Sequence, residues 1–495
     1  LPILFLCMMY TNHLATYRAS IVKEIGGLRS AYNGSQDYDF TLRFMEKSNN
    51  RRVGHIPKVL YHWRERRESV AYAMSSKNYA TEAARYAKED YIKRNHISAH
   101  MECIFGMQQY RIVYDVVGTP LVSIVIPSKD HLDILKQCID SIYKFSIYKN
   151  FEIIVVDNGS TDENKARIAE YLKTVDAAYL YDNFEFNFSK MCNMGARIAN
   201  GDFLLFLNDD IEVFQSDWLD RMLGHAQQKH VGAVGAKLFY PETTTIQHAG
   251  VSNVSGGPVH NFMFMNDEFP YYFGWNRVDT NCLAVTAACL MVQTQKFWEI
   301  HGFDEQFPVA YNDVKLCFEL YAHGYYNVIR NDVVAYHHES LSRGMDALND
   351  EKMIRLGKEK IRLNLDFPDL DGKDPFLNVN LIKVSNILDL KNNVDLLRLE
   401  KIKYAKEKGV INIDSVDINE NIHIRGWSYI SKESRTENTE RYLVFEDPYG
   451  ATYVTDILSV YRPDVANACG GGQKYLYSGF ESILDKKKLR VDVVP

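Results

Sequence analysis

The sequence predicts an α/β protein with one complete domain on an open, largely parallel sheet. Half of a second such domain precedes it, and a small all-β domain follows. Three observations lead there. A strand–helix–strand–turn series runs from Leu121 to Ser160. The apolar run Phe203-Leu204-Leu205-Phe206-Leu207 ends abruptly on Asn208-Asp209-Asp210. A set of residues near the start recurs in order near the middle of the chain. Alternating strands and helices favour a parallel sheet with right-handed crossovers.

In order, the first copy of the repeat carries Ile25-Gly26-Gly27-Leu28, Gln36-Asp37-Tyr38-Asp39 and Leu60-Tyr61-His62. The second carries Ile300-His301-Gly302-Phe303, Asn312-Asp313 and Tyr336-His337-His338. Glycine to aspartate is 10 residues in the first copy and 11 in the second, and aspartate to histidine is 25 and 24. Matching anchors at matching spacings imply duplicated structure. Only the second copy is preceded by a long series of alternating strand and helix signals. The chain is therefore expected to begin inside a domain, at 1–72, with a helical linker at 73–118.

Leu121 to Ile126 reads as a buried strand stopped by Pro127. His131 to Phe145 has helical spacing, and Phe151 to Asp157 is a second buried strand followed by the turn Asn158-Gly159-Ser160. The complete domain is placed at 119–370. Leu381 to Lys408 reads as helical and charged, giving a second linker at 371–410. Beyond Gly409, His423–Ile430, Arg441–Glu446 and Ala451–Val454 read as short strands separated by turns. These predict a small β-sandwich at 411–495, itself expected to be cut short.

Composition excludes several classes. Net charge is −7 with no long basic run, which argues against a nucleic-acid partner. The 8 cysteines form no CxxC pair and sit in apolar contexts, as reduced buried thiols do. No segment reaches the ~18 apolar residues of a membrane helix. The chain is rich in aromatic residues, with 32 Tyr and 25 Phe; Tyr and Trp often line sugar-binding surfaces, and a Lys/Ile/Asn/Tyr-biased genome would give the same composition.

The chemistry-bearing residues gather at strand ends. Asp130, Asp157 and Asn208-Asp209-Asp210 all fall at or just after the carboxyl ends of predicted strands, where open α/β sheets bind ligands. Carboxylates there are costly to desolvate unless a cation compensates them, and a divalent metal bridging a diphosphate does so. No GxGxxG or GxxxxGK[ST] follows the first strand, which weakens dinucleotide and P-loop readings. Asp313, ahead of a helical stretch, reads either as an N-terminal cap or as a general base. His337 and His338 follow an apolar run and are candidate metal ligands.

Taken together, Ser123–Pro127, Val155–Asp162, Phe206–Glu212, Ile246–Val251, Ala284–Met291 and Tyr336–Gly344 resemble family 2 glycosyltransferases of the GT-A fold. The resemblance points to the bacterial branch that builds rhamnan, O-antigen and capsule. It implies a donor site of Asp157 with Pro127, Asp130, Asn158, Asn193, Asn208 and Asp209. It further implies Mg²⁺ or Mn²⁺ on Asp210 and His337, with His338 as the fallback, and Asp313 as catalytic base. Asp37 and His62 would be a vestigial copy. The implied partners are a UDP- or dTDP-linked sugar and a glycan or lipid-linked glycan acceptor, met in the cytoplasm at the inner membrane face by peripheral association. The implied reaction is a single inverting displacement. Asn208 stands where many relatives carry Asp, and Lys315 and Glu319 depart from the acidic and basic residues usual after the base, a departure expected to affect local pairing and not the chemistry. A processive synthase is disfavoured, because membrane helices and a QxxRW-like motif are missing. A non-catalytic glycan-binding scaffold is the rival of another class, distinguished by silence toward every nucleotide sugar.

Overall fold

A computed structural model describes residues 3–11, 14–48, 53–56, 78–104, 107, 109–254, 257–338, 350–378, 381–384, 387–390, 397–398, 409–418, 421–430, 442–446, 452–456, 458–460 and 479–485. They divide into two compact units, 1–377 and 378–495.

The first unit opens with helices α1 (Ile3–Cys7), α2 (Ala19–Glu24), α3 (Gln36–Ser48) and α4 (Asn78–Arg94), then a hairpin of β1 (Ala99–Cys103) and β2 (Tyr110–Tyr114). The nucleotide-side half follows: β3 (Val122–Ser128), α5 (Leu132–Phe145), β4 (Phe151–Asn158), α6 (Asp162–Thr174), β5 (Ala178–Asp182), α7 (Phe188–Ile198) and β6 (Phe203–Leu207). Next come β7 (Ile211–Val213), α8 (Trp218–Ala226), β8 (Val231–Phe239), β9 (Ile246–His248), β10 (Val251–Val254), β11 (Gly257–His260), β12 (Thr280–Cys282) and β13 (Cys289–Gln293). The unit closes with α9 (Thr294–Glu299), α10 (Asn312–Ala322), β14 (Tyr326–His337) and α11 (Asp350–Asp366).

Its main sheet runs β12-β14-β8-β13-β6-β3-β4-β5, with β7 on β14 and β9 on β8. The β6-β3-β4-β5 half is parallel, as the alternating pattern predicts. The whole sheet is mixed, because β13 inserts antiparallel between β6 and β8. This mixed α/β sheet fits the GT-A-like expectation. Every residue of β6 is buried, so its five apolar side chains pack on both faces, and polar residues can begin only where it emerges.

Four expectations are corrected. Pro127 does not stop β3, which continues to Ser128 paired with β4. Pairing with β6 ends at Val125, so a residue without an N–H costs no ladder bond on that side. The stretch 73–118 is not a simple helical linker: α4 forms, but β1 and β2 follow it and pack into the domain. Arg111 of β2 is buried against Asp279 and Asp332 at 3.1 and 3.0 Å. Arg330, fully buried, pairs with the same two carboxylates. The N-terminal half-domain is not a separate body either, since α1 joins the core through Ile3 and the Ile3 N–H donates to Asn281 Oδ1 at 2.8 Å. Finally, Leu381–Val384 and Ile387–Leu390 form an antiparallel hairpin, β15 and β16, where a helix was expected. Ile382, Val384 and Ile387 are β-branched, and such residues are enriched in strands.

The repeat is real in three dimensions over α2–α3 and α9–α10. The Gly27 N–H bonds Val22 O at 3.1 Å, and the Gly302 N–H bonds Phe297 O at 2.9 Å. Both are six-to-one helix-ending bonds, and both glycines have positive φ, 69° and 76°. A Cβ on Gly302 would meet Asn193 Oδ1 at 2.7 Å, so glycine is required there twice over. The His62 end of the first copy lies outside the described residues.

In the second unit the remaining strands are β17 (Leu397–Arg398), β18 (Gly409–Ile418), β19 (Asn421–Ile430), β20 (Tyr442–Glu446), β21 (Thr452–Asp456), β22 (Leu458–Val460) and β23 (Gly479–Asp485). They form a three-stranded sheet, β17-β21-β20, and a four-stranded sheet, β18-β19-β23-β22. All their pairings are antiparallel.

Candidate active site

The parallel strands β3, β4 and β6 end side by side, with β4 and β6 on opposite flanks of β3. A crevice at such a point is the usual ligand site of an open α/β sheet. Ser128, the last residue of β3, crosses it and donates to Asp209 Oδ2 at 2.7 Å. Burial beside the Asp210 charge pushes the Asp209 carboxyl up to about 7.

The donor-side residues are held differently. Asp157 is buried, accepting the Ser160 N–H at 2.9 Å and the Tyr179 hydroxyl at 2.5 Å. Asp130 has φ 61° and accepts the Thr161 N–H at 2.8 Å and Asn164 Nδ2 at 3.0 Å, joining the loop after β3 to the start of α6. Burial opposes its charge, but those donors outweigh it and hold the carboxyl below its usual range. Asn158 donates to Phe184 O at 3.0 Å. Asn193 spends its amide inside the protein, accepting the Phe303 N–H and donating to Phe303 O and Glu305 Oε1. Pro127 lies in the ladder of β3.

The acidic turn meets the far strand β14. His337 Nε2 lies 3.1 Å from Asp210 Oδ1 and 3.3 Å from Asn208 Nδ2. The other ring nitrogen, Nδ1, lies 2.6 Å from Gln247 Oε1 on β9. An amide oxygen only accepts, so the Nδ1 proton is fixed there and Nε2 turns its lone pair toward a carboxylate. Asp210 Oδ1 is buried and has no hydrogen-bond donor among the described residues. Lone pair and carboxylate at this distance need a proton or a metal cation between them. Burial disfavours the Asp210 charge, but with a proton on Nε2 the His337 ring more than offsets this and holds the carboxyl below its usual range. One carboxylate oxygen and one imidazole with its far N–H anchored are a mixed O and N donor pair of the kind a divalent metal can take. No group of three or more His, Cys, Asp or Glu is clustered for a metal among the described residues.

His338 points elsewhere, with Nε2 2.9 Å from Glu212 Oε2. The two histidines therefore face different carboxylates, and it is His337 that faces Asp210.

Asp313 sits in the first turn of α10, whose cap position is taken by Tyr311 in a left-handed conformation, φ 55°. Its Oδ1 accepts the Val314 N–H at 2.8 Å, and its Oδ2 accepts the Ala287 N–H at 3.1 Å. The next residue of that loop, Ala288, accepts the Asn208 N–H at 3.0 Å. One loop thus links Asp313 to the acidic turn. In the first copy Asp37 Oδ1 accepts the Tyr38 N–H at 2.9 Å, the same local geometry.

Several contributors carry no role in the sequence reading. Gln247 lies within a quoted motif, but its aim at His337 depends on β9 pairing with β8. Ser128 and Tyr179 are ordinary strand residues whose hydroxyls matter only through neighbouring strands. Glu359 on α11 accepts the Ala310 N–H at 2.7 Å and so braces the loop before Asp313.

Residues 123–300 match the family model described as Glycosyl transferase family 2. An uncharacterized protein, y4gI, of Sinorhizobium fredii is 38% identical over 378 residues, 75% of this chain and 41% of that protein. The O-antigen biosynthesis protein RfbC of Myxococcus xanthus is 36% identical over 349 residues, 70% of this chain and 27% of that protein. The chain therefore spans less than half the length of these relatives. Among solved structures, a mannosyltransferase from Pyrobaculum calidifontis, in complex with GDP-Man and Mn²⁺, is 17% identical with a TM-score of 0.38. That match covers 53% of this chain and 67% of that one.

Proposed function

Residues 123–300 form a family 2 glycosyl transferase domain, and on that premise we propose that it moves a sugar from a UDP- or dTDP-linked donor onto a growing cell-surface glycan with inversion. The observation that carries the metal-dependent part is the facing of His337 Nε2 and the donor-less Asp210 Oδ1 at 3.1 Å. Asp210 and His337 would hold Mn²⁺ or Mg²⁺, which when bound neutralises charge on the departing diphosphate.

The protein's own residues do the rest. Asp157, at the end of β4, offers the remaining lone pairs of its carboxylate to the nucleoside, and Asp130 with Asn158 shapes the loops around it. Asn208 and Asp209 flank the diphosphate. Asp313 takes the proton of the acceptor hydroxyl as that oxygen attacks the anomeric carbon from the side opposite the nucleotide. The Ala287 N–H on Oδ2 fixes the carboxylate for this role. The relative named for O-antigen biosynthesis supports a surface polysaccharide as product. Among the described residues no helix is long and apolar enough to cross a membrane.

The test is a donor screen that follows nucleotide release with Mn²⁺ and with EDTA. Release from one donor that stops on chelation supports the reading. Silence with every donor, together with tight glycan binding, would instead favour a scaffold.

A further inference from the structure

Between β11 and β12 the chain makes a loop, 261–276, that spends backbone strain to hold aromatic rings in water. Phe264, Phe269, Tyr272 and Phe273 are 44%, 59%, 43% and 83% exposed. Phe262, Phe264, Tyr272 and Phe273 have φ of 56°, 68°, 46° and 60°. Bulky residues avoid that region, and such strain collects at functional sites.

The loop is nevertheless firmly built. Buried Lys237 bonds Asp267 Oδ2 at 2.6 Å and Asn276 O at 3.1 Å. Buried Asn276 donates to Asp267 Oδ1 and Phe269 O and accepts the Tyr271 N–H. Fixed anchors below and exposed rings above are the opposite of what a loop needs merely to close a turn.

The loop also adjoins the candidate site. Ile246 of β9 exchanges backbone hydrogen bonds with it, donating to Met265 O at 2.8 Å and accepting the Phe264 N–H at 2.7 Å. The next residue, Gln247, holds His337. His260, at the start of the loop, meets His248 with Nδ1 atoms 3.1 Å apart. His248 Nε2 accepts the Thr286 N–H at 3.4 Å, one residue before the Ala287 that bonds Asp313.

We propose that the aromatic loop 261–276 is the acceptor-glycan platform of this domain, on which sugar rings of the growing chain stack so that the terminal hydroxyl reaches Asp313. This rests on the glycosyltransferase reading above. Aromatic faces suit the C–H faces of sugar rings, and they cost little entropy to order because the loop is already fixed. A lipid surface is the other occupant such rings could serve. The connection 261–279 carries Asp267, Glu268 and Asp279 against the single Arg277, which is turned inward onto Asp267 O and Glu268 O, and a net negative loop is the wrong charge for an anionic bilayer.

The experiment uses the full chain and its Phe273→Ala and Phe269→Ala variants, with melting temperatures checked for intact folding. Calorimetry measures binding of rhamno-, gluco- and galacto-oligosaccharides from disaccharide to octasaccharide. The expected result is affinity that rises with length and falls about tenfold in Phe273→Ala. Wild-type protein that binds none of these sugars, or variants that bind them equally well, overturns the proposal. So does loss of phosphatidylglycerol-vesicle sedimentation in the variants with sugar affinity unchanged. Nucleotide release by the wild-type chain tests the underlying reading separately. Its absence with every donor would sink that reading and leave a platform that still depends on Phe273.

Discussion

Lys315 Nζ lies 2.6 Å from Glu319 Oε1 on α10, with the charges in the reverse order of Asp39 and Arg43 at the same places on α3. The reversal changes what each pair holds. Arg43 also donates to Ile25 O and Gly27 O, tying α3 to the end of α2. Lys315 instead reaches Asp366, the last residue of α11, at 3.4 Å. Sequence reasoning expects the departure to alter local pairing, and the pairing it creates docks α11.

Lys315→Ala should therefore cost roughly 1–3 kcal/mol and loosen α11, since it leaves partly buried carboxylates unpaired. The double change Lys315→Glu with Glu319→Lys should recover only part of this, because Asp366 would then face a carboxylate. Denaturant midpoints and hydrogen exchange across 359–366 check both outcomes.

Asp313→Asn should keep donor binding and lose about 10²–10⁴-fold in transfer rate. The amide can still lie beside the Ala287 N–H but cannot take a proton. Transfer at the wild-type rate would remove Asp313 from the role of base.

Gln247→Leu should weaken Mn²⁺ binding about 10–100-fold, because it frees the far nitrogen of His337. Asp210→Asn should weaken it further, and His338→Ala should change it little, since that ring faces Glu212. Electron paramagnetic resonance of unbound Mn²⁺ reads these affinities without any turnover.

Lys88 supplies a pH-dependent effect far from the site. Burial lowers its amine to about 8, and it donates to Cys7 O and Tyr110 O at 2.8 Å each. The folded state therefore gives up this proton at lower pH than the unfolded chain. Between about pH 8 and the ordinary lysine value of 10.5 the unfolded chain binds more protons. Stability from this group rises with pH across that window. In denaturant midpoint the wild type should gain relative to Lys88→Met as pH rises from about 8 to 10.5; a difference that does not change with pH would show that the amine stays charged.

By itself the sequence determined the parallel half of the sheet, the acidic turn, the duplicated helices and the family. Each of these rests on short-range pattern. Apolar runs must be buried, a glycine must end a helix in the left-handed region, and carboxylates must appear where a buried strand emerges. Tertiary structure alone decided that His337 meets Asp210 while His338 meets Glu212, because that choice depends on β14 pairing with β7. It also decided that Gln247 orients the ring, that Asn193 is a staple, and that β1 and β2 belong to the domain. Those outcomes are set by hydrogen bonds and charges between residues 90 or more positions apart. Local propensity carries no record of such partners, and only the packed sheet brings them within reach.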